Sequence, residues 1–306
     1  MNILIWSLPI LAGMLDAAQR GVIKLTKVHK FTLLAGGFIS AIPYYCLWLF
    51  IDGIPEVKLM FWIAVAAHIP LFVIANILTV EAHRSSPLIL TIPYLSFTPV
   101  VLLVTSPLMG GGNPTMLGGL GIGLVAFGMY ILNSRSDQTN FLSPFKAFLR
   151  ERGCWMMMIV AIIFGITSNL DYIGFKNSSA PFWCLVDHGL SGLAMIGLAV
   201  IYASLGKIER SSISPKGAYA ALMLYGLVIS GSVIFHMLSF KWIPVVPYVI
   251  SGKRAGSIIF TVLLGLFFCF FGKSDFSHER EELKYRIPGM LIMVFGMLII
   301  IVWGKN

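Results

Sequence analysis

Ten apolar stretches separated by short polar breaks constrain this chain more than any other feature. They run roughly over 2–24, 31–50, 59–80, 87–108, 115–132, 154–171, 182–204, 218–240, 244–271 and 285–304. About 20 helical residues cross a ~30 Å hydrocarbon core. Backbone N–H and C=O groups in hydrocarbon must be satisfied within the spanning structure, which leaves helices or closed barrels. Barrel strands need only about 9–11 residues and alternate in polarity. The expected fold class is therefore an all-α integral membrane protein with ten transmembrane helices. Composition agrees: of 306 residues, 58% are apolar and only 11% are charged, against about 25% charged in soluble domains. Mean hydropathy is +0.87.

The formal charge is +9. The Lys and Arg residues sit mostly in the breaks between apolar runs, and no basic run is interleaved with exposed aromatics. The excess therefore reads as membrane topology and lipid headgroup contact, and no nucleic-acid partner is expected. Fifteen Lys and Arg follow odd-numbered helices, against four in the even-numbered loops and termini, so both termini are expected to face away from the cytoplasm. No basic residue precedes Ile3–Leu15, so that stretch reads as a retained helix, not a signal peptide. The expected location is the cell membrane, crossed many times. Cys46, Cys154, Cys184 and Cys269 lie within or beside apolar runs, without a C-x-x-C pair, and read as small buried residues.

An internal repeat divides the chain. Phe127-Gly128-Met129 near the end of helix 5 matches Phe295-Gly296-Met297 in helix 10, with Gly121 and Gly289 in the same frame. Pro93-Tyr94 matches Pro247-Tyr248, and Leu15-Asp16 matches Leu170-Asp171. The repeat sets residues 1–132 and 154–306 as two five-helix halves, joined by 133–153. Ser143-Pro144 in that connection is a good helix start, and Phe145, Phe148 and Leu149 share a face, as in a short interfacial helix. Five is odd, so the second half enters the membrane inverted, giving a 5+5 inverted repeat, a common plan of secondary transporters.

The segments Ser86–Val100 and Tyr248–Ser257, with Phe260-Thr261-Val262-Leu263-Leu264-Gly265 beyond, make the chain resemble the drug/metabolite transporter superfamily of the EamA type. Lys253-Arg254 also looks like the phosphate-binding pair of the sugar-phosphate translocator branch. The resemblance implies a 5+5 inverted fold and export or exchange of metabolites. It departs after helices 4 and 9, where family members often carry Glu and this chain reads Gly111-Gly112-Asn113 and Gly272-Lys273-Ser274.

Polar groups inside apolar helices are costly and usually face the bundle interior. Lys253 and Arg254 fall about 14–15 Å into helix 9 at ~1.5 Å per residue. They read either as a cationic floor for an anionic or carboxylate-bearing substrate, or as members of a structural ion pair. Neighbouring helical residues point about 100° apart, so one is expected to face the cavity, with Arg254 favoured, and the other a neighbouring helix. His68 is a substrate or proton contact, or a packing histidine. Asp187 is a counter-ion for Lys253 or Arg254, or a proton carrier. Asp16, Arg20 and Lys24 form one stripe that reads first as self-paired, with Arg20 and Lys24 reaching the inner surface. Asp171, Lys176, Glu81 and Lys241 read as interfacial. Tyr94 and Tyr248, at matching places, are cavity-lining candidates or packing residues.

No H-E-x-x-H, G-x-S-x-G or Walker A pattern occurs, so no enzyme activity, metal or other cofactor is expected. The expected function is secondary transport of a small-molecule metabolite by alternating access, with membrane lipid as the other partner. The expected substrate-binding residues are Lys253, Arg254, His68, Asp187, Tyr94 and Tyr248. Alternatives are a carrier of cationic or amphipathic compounds using Asp16 and Asp187, or a receptor-like membrane protein.

Overall fold

The computed structural model describes residues 3–26, 28–86, 91, 94–95, 97–132, 151–208, 218–271 and 276–304, with their side chains apart from those of 3, 24–25, 132 and 261–287. They form ten helices: α1 (Ile3–Leu25), α2 (Lys30–Asp52), α3 (Leu59–Ser85), α4 (Phe97–Met109), α5 (Met116–Leu132), α6 (Arg152–Lys176), α7 (Ala180–Ser204), α8 (Tyr219–Trp242), α9 (Val246–Phe271) and α10 (Phe276–Trp303). No strand occurs among the described residues. Five helices, α2, α3, α6, α7 and α8, are long and apolar enough to cross a membrane. Large apolar side chains such as Phe50, Leu108, Met116 and Leu193 project outward, as a lipid-solvated surface requires and a water-facing one rarely tolerates.

Several helices outrun their apolar stretches. α3 continues to Ser85, α6 to Lys176, and α10 begins at Phe276. Charged residues with good helix propensity, such as the Glu and Arg of the first turns of α10, carry a helix past the apolar span. α4 is described from Phe97, with a helical residue at Thr91 and a 3₁₀ turn at Tyr94-Leu95; the rest of the expected stretch from 87 to 96 lies outside the described residues. The expected interfacial helix lies outside the described residues, except that Arg152 already opens α6.

α1 lies against α8 and α9, and α6 against α3 and α4. α2 packs on α7 and α8, α7 also touches α3, and α5 lies along α10. Exchanging the first five helices for the last five, in order, maps these pairings onto themselves. The α5–α10 contact shows the same exchange at residue level: a methyl added at Gly121 would sit 2.7 Å from the Gly296 carbonyl oxygen, and one at Gly128 would sit 2.6 Å from that of Gly289. At α1–α9, a methyl on Gly13 would overlap the Lys253 carbonyl oxygen, and one on Gly256 that of Ile10. Missing side chains thus let α1 and α9 touch backbone to backbone.

The two ends of the bundle are tied by different groups. At one end Lys30 Nζ meets Glu81 Oε2 at 2.7 Å, and Arg84 donates to the Val28 carbonyl at 2.6 Å. At the other, the Lys58 N–H donates to the Asn177 carbonyl at 3.0 Å, and the Val246 N–H to that of Gly111 at 2.9 Å.

Candidate functional site

A cavity of about 120 Å³ lies in the middle of the bundle, between α1, α3, α6, α7, α8 and α9. It reaches Ile23, Thr79 and Leu95 towards the end tied by Lys30–Glu81. Towards the opposite end, Tyr45, Trp183 and Phe240 are fully buried. Two clusters of charge face each other across it.

The first cluster is built on Asp16 of α1. Arg20, one turn on, donates through Nη2 to Asp16 Oδ2 at 2.5 Å. The close α1–α9 approach brings two more cations: Arg254 Nη1 lies 3.4 Å from Asp16 Oδ2, and Lys253 Nζ lies 4.0 Å from Oδ1. The Arg254 guanidinium also lies 5.8 Å from the centre of the Phe164 ring, a cation–π distance. Three cations share one carboxylate, so this wall is electropositive. Arg254 Nε has no hydrogen-bond partner among the described residues.

The second cluster centres on His68 of α3. Its Nε2 lies 3.2 Å from Asp171 Oδ1 on α6, and its Nδ1 lies 2.9 Å from Asp187 Oδ1 on α7. Neither contact is aligned as a hydrogen bond, so both are ionic in character. Trp183 Nε1–H donates to Asp171 Oδ1 at 3.0 Å, and His188 Nδ1 lies 3.4 Å from Asp187 Oδ2. The His68 ring stacks on Phe72 and meets Trp183 edge-on, at 5.0 and 5.2 Å between centres. A third histidine, His236 of α8, is buried and lines the cavity, and its Nε2 has no hydrogen-bond partner among the described residues.

The structure brings together Lys253, Arg254 and Asp187 at the cavity, with His68 directly behind its wall. Four expectations need correction. Lys253 and Arg254 do not divide between cavity and neighbouring helix: their long side chains bend from adjacent positions to the same Asp16. Asp187 is not their counter-ion; its partners are His68 and His188. Asp171 is not interfacial, because α6 continues five residues beyond it and sets it on the cavity. Arg20 does not reach for a surface: it is buried on Asp16, while the Lys24 side chain is not among those described. Tyr94 and Tyr248 are both buried but neither lines the cavity. Tyr94 packs with Leu95, Cys154 and Met157, and Tyr248 accepts from the Thr115 N–H at 3.0 Å beside α5.

Asp171 had a visible signal, the Leu15-Asp16 and Leu170-Asp171 match. His236 had none, since a lone histidine in an apolar run carries no spacing pattern.

No family profile matches this chain, and no curated protein matches it. One solved structure, described only as "Crystal structure of protein", superposes with a TM-score of 0.63 over 95% of this chain and 96% of that one, at 15% identity. At that identity the likeness concerns the fold alone, and it extends over the whole ten-helix arrangement.

Proposed function

We propose that this protein is a secondary transporter of the EamA type. It crosses the cell membrane ten times as a 5+5 inverted repeat and moves a small anionic or carboxylate-bearing metabolite by alternating access. The halves are 1–132 and 154–306. The observation that carries this reading is the cavity itself, where buried charged groups from both halves meet at mid-length of apolar helices. Such groups are expensive in a membrane and mark a substrate or ion path. The exchange-symmetric helix pairing, with α5 antiparallel to α10 through matched glycines, supports a two-fold axis lying in the membrane plane. The positive-inside count puts the Lys30–Glu81 end in the cytoplasm; the cavity's reach towards that end, with Tyr45, Trp183 and Phe240 buried at the other, supports an inward-facing state.

Substrate recognition rests on Arg254 and Lys253, with Arg20 and His236 beside them. The planar guanidinium of Arg254 is suited to a carboxylate or phosphate, and its free Nε–H is one donor for that contact. Tyr94 and Tyr248 are left out of the site. A carrier of cations built on Asp16 and Asp187 is disfavoured, because both carboxylates are already engaged by the protein's own basic groups.

A thermal-shift screen of purified protein tests the reading, with panels of small carboxylates, organic phosphates and cations. A ligand bound only to the folded state at 100 times its Kd adds about 2.7 kcal/mol. The expected hits are anions that raise the melting temperature of wild type but not of Arg254→Gln. Hits confined to cations would contradict it.

A further inference from the structure

We infer that the Asp171–His68–Asp187 cluster is the proton site of the transport cycle, holding a proton on His68 in the present arrangement and releasing it as the opposite end opens. The inference rests on the alternating-access reading above.

His68 is 1% exposed and sits between two carboxylates, one on each side of its ring. A doubly protonated ring sets one positive charge between the two carboxylates, at 3.2 and 2.9 Å from their oxygens. A neutral ring has one N–H only and no charge, so the two carboxylates, each within 3.2 Å of a ring nitrogen, have no cation between them. Two like charges facing each other through such a ring, away from water, are strongly unfavourable. The present geometry therefore holds an imidazolium. Its three members come from α3, α6 and α7, so the proton ties one helix of the first half to two of the second.

The surroundings define what else can titrate. The charged groups acting on His68 are Asp187 and Asp171. From α7, His188 touches Asp187, and Cys184 and Trp183 lie alongside. From α2, Tyr45 packs on His188 at 5.2 Å. From α8, His236 lies in reach of Asp171. The cations of α1 and α9 contact Asp16, and Lys253 of α9 also lies in electrostatic reach of Asp171. Asp171 lines the cavity and is 16% exposed at its side chain, which gives the buried proton a route to solvent. When α3 separates from α6 and α7, the proton passes from His68 to water, leaving neutral imidazole and two hydrated carboxylates.

The sign follows directly. The proton is bound in the inward-facing arrangement, so low pH favours that arrangement and high pH favours opening of the other end. One proton held in only one state shifts the ratio of the two states by up to about tenfold per pH unit.

The test needs no substrate. In nanodiscs, with the native cysteines replaced by alanine, spin labels are placed at 58 and 242 on one end and at 85 and 219 on the other. Distances are measured from about pH 5 to about pH 11, which brackets the free histidine and lysine values. The expected result is that the 58–242 distance lengthens and the 85–219 distance shortens as pH rises. The response is expected to vanish in the charge-balanced variant His68→Gln/Asp187→Asn and to persist in His188→Gln. Persistence of the response in the double variant overturns the assignment to His68. Two distance populations in a pH-independent ratio overturn the proton site while leaving alternating access intact. A single unchanging distance for both pairs sinks the proton site and the transport cycle together.

Discussion

At the scale of residues, Asp16 and Asp171 occupy matching places in the two halves yet have different partners. Asp16 holds Arg20, Lys253 and Arg254, whereas Asp171 meets His68 and the Trp183 N–H. One repeat position has thus become the anchor of a basic wall and its counterpart part of an acidic one. Removing the anchor isolates three buried or half-buried cations. Asp16→Asn is therefore expected to cost about 3 kcal/mol of stability, read as a lower melting temperature in detergent. Arg254→Gln leaves Asp16 with two cations and is expected to cost only about 1 kcal/mol. Equal stability of Asp16→Asn and wild type would contradict the anchoring role. The sequence marked Lys253, Arg254, His68, Asp187 and Asp16 as polar groups too deep to be incidental. It did not reveal which acid meets which base, because pairing depends on how α1 crosses α9 and α3 meets α6 and α7. The tyrosines show the same gap: a symmetric proline–tyrosine pair records a shared packing role as readily as a shared cavity.

At the scale of elements, ten helices were legible because each follows an apolar run, and five of them are long and apolar enough to cross a membrane with their backbone satisfied internally. Their ends were not, because hydropathy marks the apolar span while the helix continues through polar residues. That is why Asp171 looks terminal in the sequence yet lies five residues inside the end of α6, on the cavity. Close helix approach depends on glycines whose role hydropathy cannot show. Gly128 faces the Gly289 carbonyl oxygen and the Met293 side chain, whereas Gly123 on the same helix has nothing within 4 Å. Gly128→Leu is expected to force α5 from α10 and cost about 1–3 kcal/mol or more. Gly123→Leu is expected to stay within about 0.5 kcal/mol of wild type. Unfolding in a detergent series compares the two, and an equal loss at both positions would remove the glycine contact from the account of α5–α10.

At the scale of the whole molecule, the ordered repeat in the sequence and the exchange-symmetric pairing of helices are two independent marks of one plan. The inverted reading makes a topological prediction: single cysteines placed in loop 133–153 of intact cells stay unlabelled by an impermeant reagent, while cysteines near residues 1 and 306 are labelled. The reverse pattern would invert the assignment. The function proposed for the cavity is that its basic wall carries an anion across the membrane. Uptake into proteoliposomes of the radiolabelled anion found by thermal shift tests that claim most directly. Wild-type protein is expected to give saturable uptake, and Arg254→Gln none, with a melting temperature close to wild type. Undiminished uptake by Arg254→Gln would contradict the account.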